Sequence, residues 1–111
     1  ICVFPSRYEP FGTVFVQAWA QQKPLITSNA AGPSQFAEHE KDAIVVPVDD
    51  VSSLKEAISR LAADKNLQEK LVAAGHNKYL KEFTAENTLN SYMEFYGEIL
   101  ERDGLTSTAI A

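Results

Sequence analysis

The sequence predicts an α/β fold built on a short parallel sheet of about three strands, closed by helices at the C-terminal end. Two observations predict it. Short unbroken apolar runs alternate with amphipathic segments, in the order β-α-β-α-β-α-α-α. The first two apolar runs, 1–4 and 24–28, also end in a glycine-bearing turn after which a helical pattern begins at once. A helical crossover returns the chain in its original direction, so strands that alternate with helices pair in parallel and the connections are right-handed.

Residues 1–4 (Ile-Cys-Val-Phe) are continuously apolar, as expected of a strand buried on both faces. The loop Pro5-Ser6-Arg7-Tyr8-Glu9-Pro10-Phe11-Gly12 follows, then a helix over 13–22. Val14, Ala18 and Gln21 share one side of that helix, and Phe15, Val16, Trp19 and Ala20 spread apolar surface over most of the rest, which predicts a buried helix. Lys23-Pro24 ends it, and 24–28 is the second strand. After the turn at 29–34 a short helix is expected over about 34–39, with Phe36 and Ala37 inward, and Lys41-Asp42 is a polar turn. Residues 43–48 form a third strand, whose Pro47 marks its end or a sheet edge.

The next helix, within 49–64, carries Leu54, Ala57, Ile58, Leu61 and Ala62 at helical spacing. Asp50 or Ser53 caps it, Ser53 and Glu56 matching a capping box. Asn66 is expected to cap a further helix with Leu67, Leu71 and Ala74 inward, weakened in its middle by Gly75. Thr84 caps the last helix, striped by Leu89, Tyr92, Met93, Tyr96, Ile99 and Leu100. The domain is expected over 1–103, with 104–111 a frayed tail. Three strands are half of what a doubly wound Rossmann-type sheet needs, about six, so the chain reads as the second half of a three-layer Rossmann-like domain. The opening in mid-strand, with no methionine or turn before Ile1, likewise points to a piece of a longer protein.

The chain has 111 residues, 45% hydrophobic and 23% charged, as a folded soluble domain does. Its net charge of −5 disfavours a nucleic-acid surface, and any phosphate must be held by local geometry or by basic residues from elsewhere. No run approaches the roughly 18 apolar residues that span a membrane, and the N-terminus lacks a signal peptide's basic region. One cysteine, Cys2, cannot form an internal disulfide and fits a reducing cytoplasm.

The chemistry concentrates in the first strand–loop–helix unit. A helix N-terminus at the C-terminal end of a parallel strand presents unpaired N–H groups and a partial positive charge, which suits anions. Glu9 is either a solvated loop carboxylate or, fixed by Pro10 and Phe11, an acceptor for sugar hydroxyls. Gln17, one turn beyond Thr13, either satisfies a backbone group or addresses a vicinal diol. Arg7 has three readings: a phosphate contact, an ion pair with Glu9, or a solvated side chain. Asp49 and Asp50 are best explained by helix capping, and His39 and His76 by the surface, since they lack metal-ligand spacing. There is no G-x-G-x-x-G, Walker or G-x-S-x-G motif; Gly12 and Gly32 stand alone, past the ends of strands.

Pro5-Ser6-x-x-Glu9-Pro10-Phe11-Gly12, Lys-Pro-Leu-Ile-Thr-Ser, the Gly32-Pro33 turn and Val-Val-Pro-Val-Asp-Asp resemble, over about residues 1–101, one family. It is the C-terminal, donor-binding domain of retaining two-Rossmann (GT-B) glycosyltransferases, which include glycogen and sucrose synthases and many lipopolysaccharide and mannosyl transferases. The wording Ser-Arg-Tyr-Glu-Pro-Phe-Gly-Thr-Val is most similar to bacterial lipopolysaccharide-core mannosyltransferases. The family carries two glutamates separated by seven residues. The resemblance makes Glu9 the first, a catalytic residue contacting the donor hexose, and puts Pro10, Phe11, Gly12, Thr13 and Val14 against the sugar and phosphate. Gln17 stands where the second glutamate contacts the ribose, and Gln35 where many members have glutamate; both are departures. Ser6 and Gly32 fall on the nucleotide side.

The resemblance implies hexosyl transfer from a nucleoside diphosphate sugar such as GDP-mannose, UDP-glucose or ADP-glucose, with no separate cofactor and no essential metal. Its partners would be that donor and an N-terminal acceptor-binding domain outside this chain, with the full enzyme cytoplasmic or touching the inner membrane face. Without the earlier Arg and Lys that neutralise the leaving diphosphate, the chain alone is expected to be inactive, and its bare sheet edge to favour self-association. The alternatives are a related sugar-nucleotide epimerase and a non-enzymatic interaction module.

Overall fold

The computed structural model describes residues 1–104, and the tail expected over 104–111 lies, but for Gly104, outside the described residues. Three strands, β1 (Cys2–Phe4), β2 (Leu25–Ser28) and β3 (Ile44–Val46), form one sheet in the order β1-β2-β3, parallel throughout. Register runs Val3 to Ile26 and Thr27 to Val45. Every residue of the central strand β2 is buried, as its unbroken apolar and small-hydroxyl composition requires. Thr27 satisfies its hydroxyl by donating to the Phe4 and Ser28 carbonyls, each at 3.3 Å.

The helices are α1 (Thr13–Ala20), α2 (Ala31–Ser34), α3 (Val51–Ala63), α4 (Lys65–Glu82) and α5 (Ala85–Arg102). The chain divides into two compact units, Ile1–Leu80 and Lys81 onward. In the first, Ile26, Ile44 and Val46 of the sheet join Ala57 and Leu61 of α3 and Leu67 and Leu71 of α4 in one core. These positions are among those that the helical spacing of α3 and α4 points inward, but Ile58 and Ala62, read on the same stripe of α3, are exposed because only the Ala57 and Leu61 side of the helix meets the sheet.

Five further local expectations are corrected. β1, expected to be buried on both faces, has Cys2 and Phe4 only half-buried and Val3 exposed, because it is an edge strand with a single neighbour in this sheet. The helix expected over 34–39 is instead α2, Ala31–Ser34. Proline needs no N–H in a first helical turn, so Gly32-Pro33 starts the helix where it was read as a turn before it. Only one side of α1 is buried, through Phe15, Ala18 and Trp19. Asp64, not Asn66, caps α4, accepting the Leu67 N–H at 2.9 Å. Gly75 is buried against Trp19: a Cβ there would fall 2.3 Å from the indole Cδ1, so the glycine is a seat for the ring.

The polar turn at Lys41-Asp42 holds a network that no local pattern announces. Asp42, 2% exposed, accepts from Lys78 of α4 at 2.7 Å and from the Glu38 N–H at 2.8 Å. Its carbonyl takes the Trp19 indole N–H at 3.1 Å, and Lys78 also donates to the Phe36 carbonyl. His76 of α4 is half-buried rather than on the surface, its Nδ1 3.0 Å from the carbonyl of Trp19. One lysine, one histidine and a glycine of α4 thus fix α1 and the approach to β3. At the sheet edge the Val45 N–H donates to Nδ1 of the exposed His39 at 3.0 Å, and Pro47 follows β3 directly. Both blunt that edge against further pairing.

In the second unit α5 is capped by Thr84, which accepts the Asn87 N–H at 3.1 Å. None of its residues is buried, and Leu89, Tyr92, Met93, Phe95 and Tyr96 are exposed. Among the described residues no helix is long and apolar enough to cross a membrane.

Candidate functional site

The loop between β1 and α1 is set by its glycine and prolines. Gly12 adopts φ +100°, a left-handed conformation that costs an L side chain about 1–2 kcal/mol, and is the residue before α1. No side chain caps α1 and no acidic residue occupies its first turn, so the positive end of the helix is uncompensated by the protein there. Thr13, Val14 and Gln17 are all exposed, and Gln17 makes no side-chain hydrogen bond among the described residues. That disfavours the reading in which it merely satisfies the backbone.

Glu9 is half-buried, three residues before Gly12. Its Oε1 receives the Phe11 N–H at 3.5 Å, a long bond that leaves most of the carboxylate's capacity unused. Among the described residues no basic side chain pairs with it. Phe11 anchors the loop, its ring 5.5 Å from Phe15 and 5.4 Å from Phe36, edge-on to the latter. Pro10 is exposed; Ser6 is half-buried, its carbonyl taking the Ser28 hydroxyl at 2.5 Å. Gly32 is buried, and its N–H donates to the Glu9 carbonyl at 2.7 Å.

Arg7 pairs with Asp49, a partner that sequence reading did not weigh, at 2.5 Å between two exposed side chains. The acidic pair therefore splits. Asp50 caps α3, accepting the Ser53 N–H at 2.9 Å and its hydroxyl at 2.7 Å, and these bonds hold its carboxyl below the usual carboxylate range. Asp49, at φ +61°, turns to Arg7. Beside this pair, past the ends of all three strands, lies an open pocket of about 180 Å³ lined by Pro5, Ser28, Val46 and Pro47 among others. It does not include Glu9 or Gln17. Among the described residues no group of three or more His, Cys, Asp or Glu could hold a metal ion.

A parallel sheet with a glutamate-bearing loop and an uncapped helix at its strand ends has the architecture of open α/β sheets, a class in which ligands bind beyond the carboxyl ends of the strands. Comparison with known proteins makes this specific. The chain belongs to the glycosyl transferases group 1 family, whose model matches residues 1–99.

It is 36% identical over 94 residues to the lipopolysaccharide core biosynthesis glycosyltransferase LpsD of Rhizobium meliloti, and 28% identical over 94 residues to LpsE of the same organism. Each alignment covers 85% of this chain but only 27% and 28% of those proteins, so the chain spans little more than a quarter of their length. Among solved structures it is similar to sucrose-phosphate synthase from Thermosynechococcus elongatus, with a TM-score of 0.85 and 31% identity over 91% of this chain and 25% of that one. The C-terminal domain of a glycosyl transferase group 1 protein (LpcC) from Francisella tularensis shares the fold, with a TM-score of 0.69 at 18% identity, covering 75% of this chain and 43% of that one.

Proposed function

We propose that this chain is the donor-binding part of a retaining hexosyltransferase that draws its sugar from a nucleoside diphosphate sugar, in bacterial polysaccharide or lipopolysaccharide synthesis. The observation that carries the reading is the Glu9 loop: a half-buried carboxylate with spare acceptor capacity, at the head of an uncapped helix, in a chain of this family. Glu9 accepts hydrogen bonds from donor hexose hydroxyls, and the backbone from Pro10 to Val14 lies along sugar and phosphate. The positive end of α1 favours the charge that develops on the leaving diphosphate. Gln17 addresses the ribose with an amide in place of a carboxylate, and Ser6 belongs to the nucleotide side.

The lipopolysaccharide assignment is supported by what LpsD and LpsE are named for. The groups that neutralise the diphosphate and bind the acceptor lie outside residues 1–111 in this reading. Its basis is that Arg7, the one basic residue of the loop 5–12, is paired with Asp49. The isolated chain is therefore expected to transfer no hexose.

The test is Glu9→Gln in the natural gene product that carries this sequence, assayed with GDP-mannose, UDP-glucose and ADP-glucose. Hydrogen bonds to a charged group contribute about 1.5–3 kcal/mol, so kcat/KM should fall roughly 10- to 150-fold. A variant with wild-type kcat/KM would remove Glu9 from the donor site.

A further inference from the structure

We infer that the turn after β2, through Ser28 and Gly32, positions Glu9 for its sugar. The inference rests on Glu9 being the hexose-binding carboxylate. Glu9's own loop holds its side chain loosely, by the single 3.5 Å bond from the Phe11 N–H. Where the carboxylate points therefore depends on where the backbone of residues 9–11 is held.

That backbone lies directly on Gly32. A Cβ built at Gly32 would fall 2.3 Å from the Phe11 carbonyl oxygen and 2.5 Å from both its carbonyl carbon and its nitrogen. These are main-chain atoms that cannot rotate aside, so glycine is required for space. Gly32 is not in the left-handed region, and conformational freedom is not the reason for it. Its N–H, donated to the Glu9 carbonyl at 2.7 Å, fixes the loop from below and is no longer free for a phosphate. Ser28 fixes the start of the same loop by donating to the Ser6 carbonyl at 2.5 Å.

The turn is the stiffer partner. The Asn29 N–H donates to the Val46 carbonyl, and Asn29 Oδ1 accepts the Val48 N–H, both at 2.9 Å. Ser34 donates to the carbonyls of Asn29 and Ala30, and the buried Pro33 follows Gly32. The turn is thus tied to β3, and the Glu9 loop conforms to it.

The test uses the natural gene product and calorimetric titration with matched probes: GDP-mannose against GDP, UDP-glucose against UDP, ADP-glucose against ADP. A misplaced Glu9 weakens the sugar nucleotide and spares the nucleotide, whereas simple destabilisation weakens both in proportion. Gly32→Ala should raise Kd for the sugar nucleotide by about 10- to 100-fold, the scale of a 1 Å misplacement, with Kd for the matching nucleotide within about twofold. Should Gly32→Ala fail to fold, Ser28→Ala decides, with a selective loss of roughly three- to tenfold by the same argument.

Equal losses on both probes, or none, in folded variants would overturn the positioning role if Glu9→Gln still shows the selective loss. If Glu9→Gln shows no selective loss, or the wild type binds none of the probes, the donor-site reading fails and the positioning role with it.

Discussion

Replacing Gly75 by alanine tests the packing of α1 on α4, because two effects of opposite sign meet there. In an ordinary helix interior the change is stabilising by about 1 kcal/mol, since glycine loses more backbone freedom on folding. Here the new Cβ would stand 2.3 Å from Trp19 Cδ1, 2.5 Å from Nε1 and 3.0 Å from Cγ. Normal contact begins at 3.4 Å, so ring or helix must retreat by 1.1 Å, the difference between 3.4 and 2.3 Å. Neither is free to do so. The indole is 1% exposed, donates to the Asp42 carbonyl and packs edge-on to Phe15 at 5.2 Å. Moving α4 instead lifts the buried Leu71 out of the core. Overpacking of this kind costs about 1–3 kcal/mol, and strain on the indole hydrogen bond about 0.5–1.5 kcal/mol more. Against the propensity gain of about 1 kcal/mol the net expectation is a loss of about 0.5–3.5 kcal/mol, centred on roughly 2 kcal/mol. Urea unfolding followed by the fluorescence of the single tryptophan measures it, with the midpoint expected to fall by roughly 1 M at unchanged m. A Gly75→Ala chain as stable as the parent, or more so, would refute the seating of Trp19 on α4.

Three further outcomes are expected. Gly12→Ala forces a side chain into φ +100° with a Cβ 3.1 Å from both Phe4 and Phe15, so thermal melting should show a loss of about 1–2 kcal/mol. Asp42→Ala leaves Lys78, 21% exposed, without its carboxylate and should cost about 3–5 kcal/mol by urea unfolding, while the joint change with Lys78→Met should cost clearly less. Asp50's carboxyl is lowered by the Ser53 N–H and hydroxyl, so its contribution is present above the ordinary carboxylate range and disappears as pH falls through the lowered value. Glu38 and Glu40, lowered by Lys41 and Arg60, act in the same direction. Unfolding midpoints from pH 7 down to 2 should therefore fall toward acid in the parent, and the gap to Asp50→Asn should close there; a gap constant with pH would remove Asp50 as an ionised cap.

What the sequence discloses depends on how far apart the interacting residues lie along it. The strand–loop–helix unit around Glu9, Gly12 and Gln17 spans fewer than twenty residues, and its glycine, prolines and apolar period are local facts, so the order of strand, turn and helix could be read directly, whereas how much of β1 and α1 is buried depends on distant neighbours. The caps at Asp50 and Thr84 and the inward face of α3 were legible for the same reason. Arg7 and Asp49 are 42 positions apart, Asp42 and Lys78 are 36, and His76 and the Trp19 carbonyl 57. Nothing local marks these as pairs, and a lone buried aspartate reads as a turn residue until its lysine is placed. Gly32 and Gly75 show the limit most sharply. Propensity makes one a turn residue and the other a weak point, yet each is required by what presses on it from elsewhere: the Phe11 backbone and the Trp19 ring. A glycine's missing side chain is a local fact, but the group that fills the space is not. The part of the candidate site that sequence cannot supply is therefore the second turn, whose glycine carries no chemistry of its own and acts by setting where Glu9 stands.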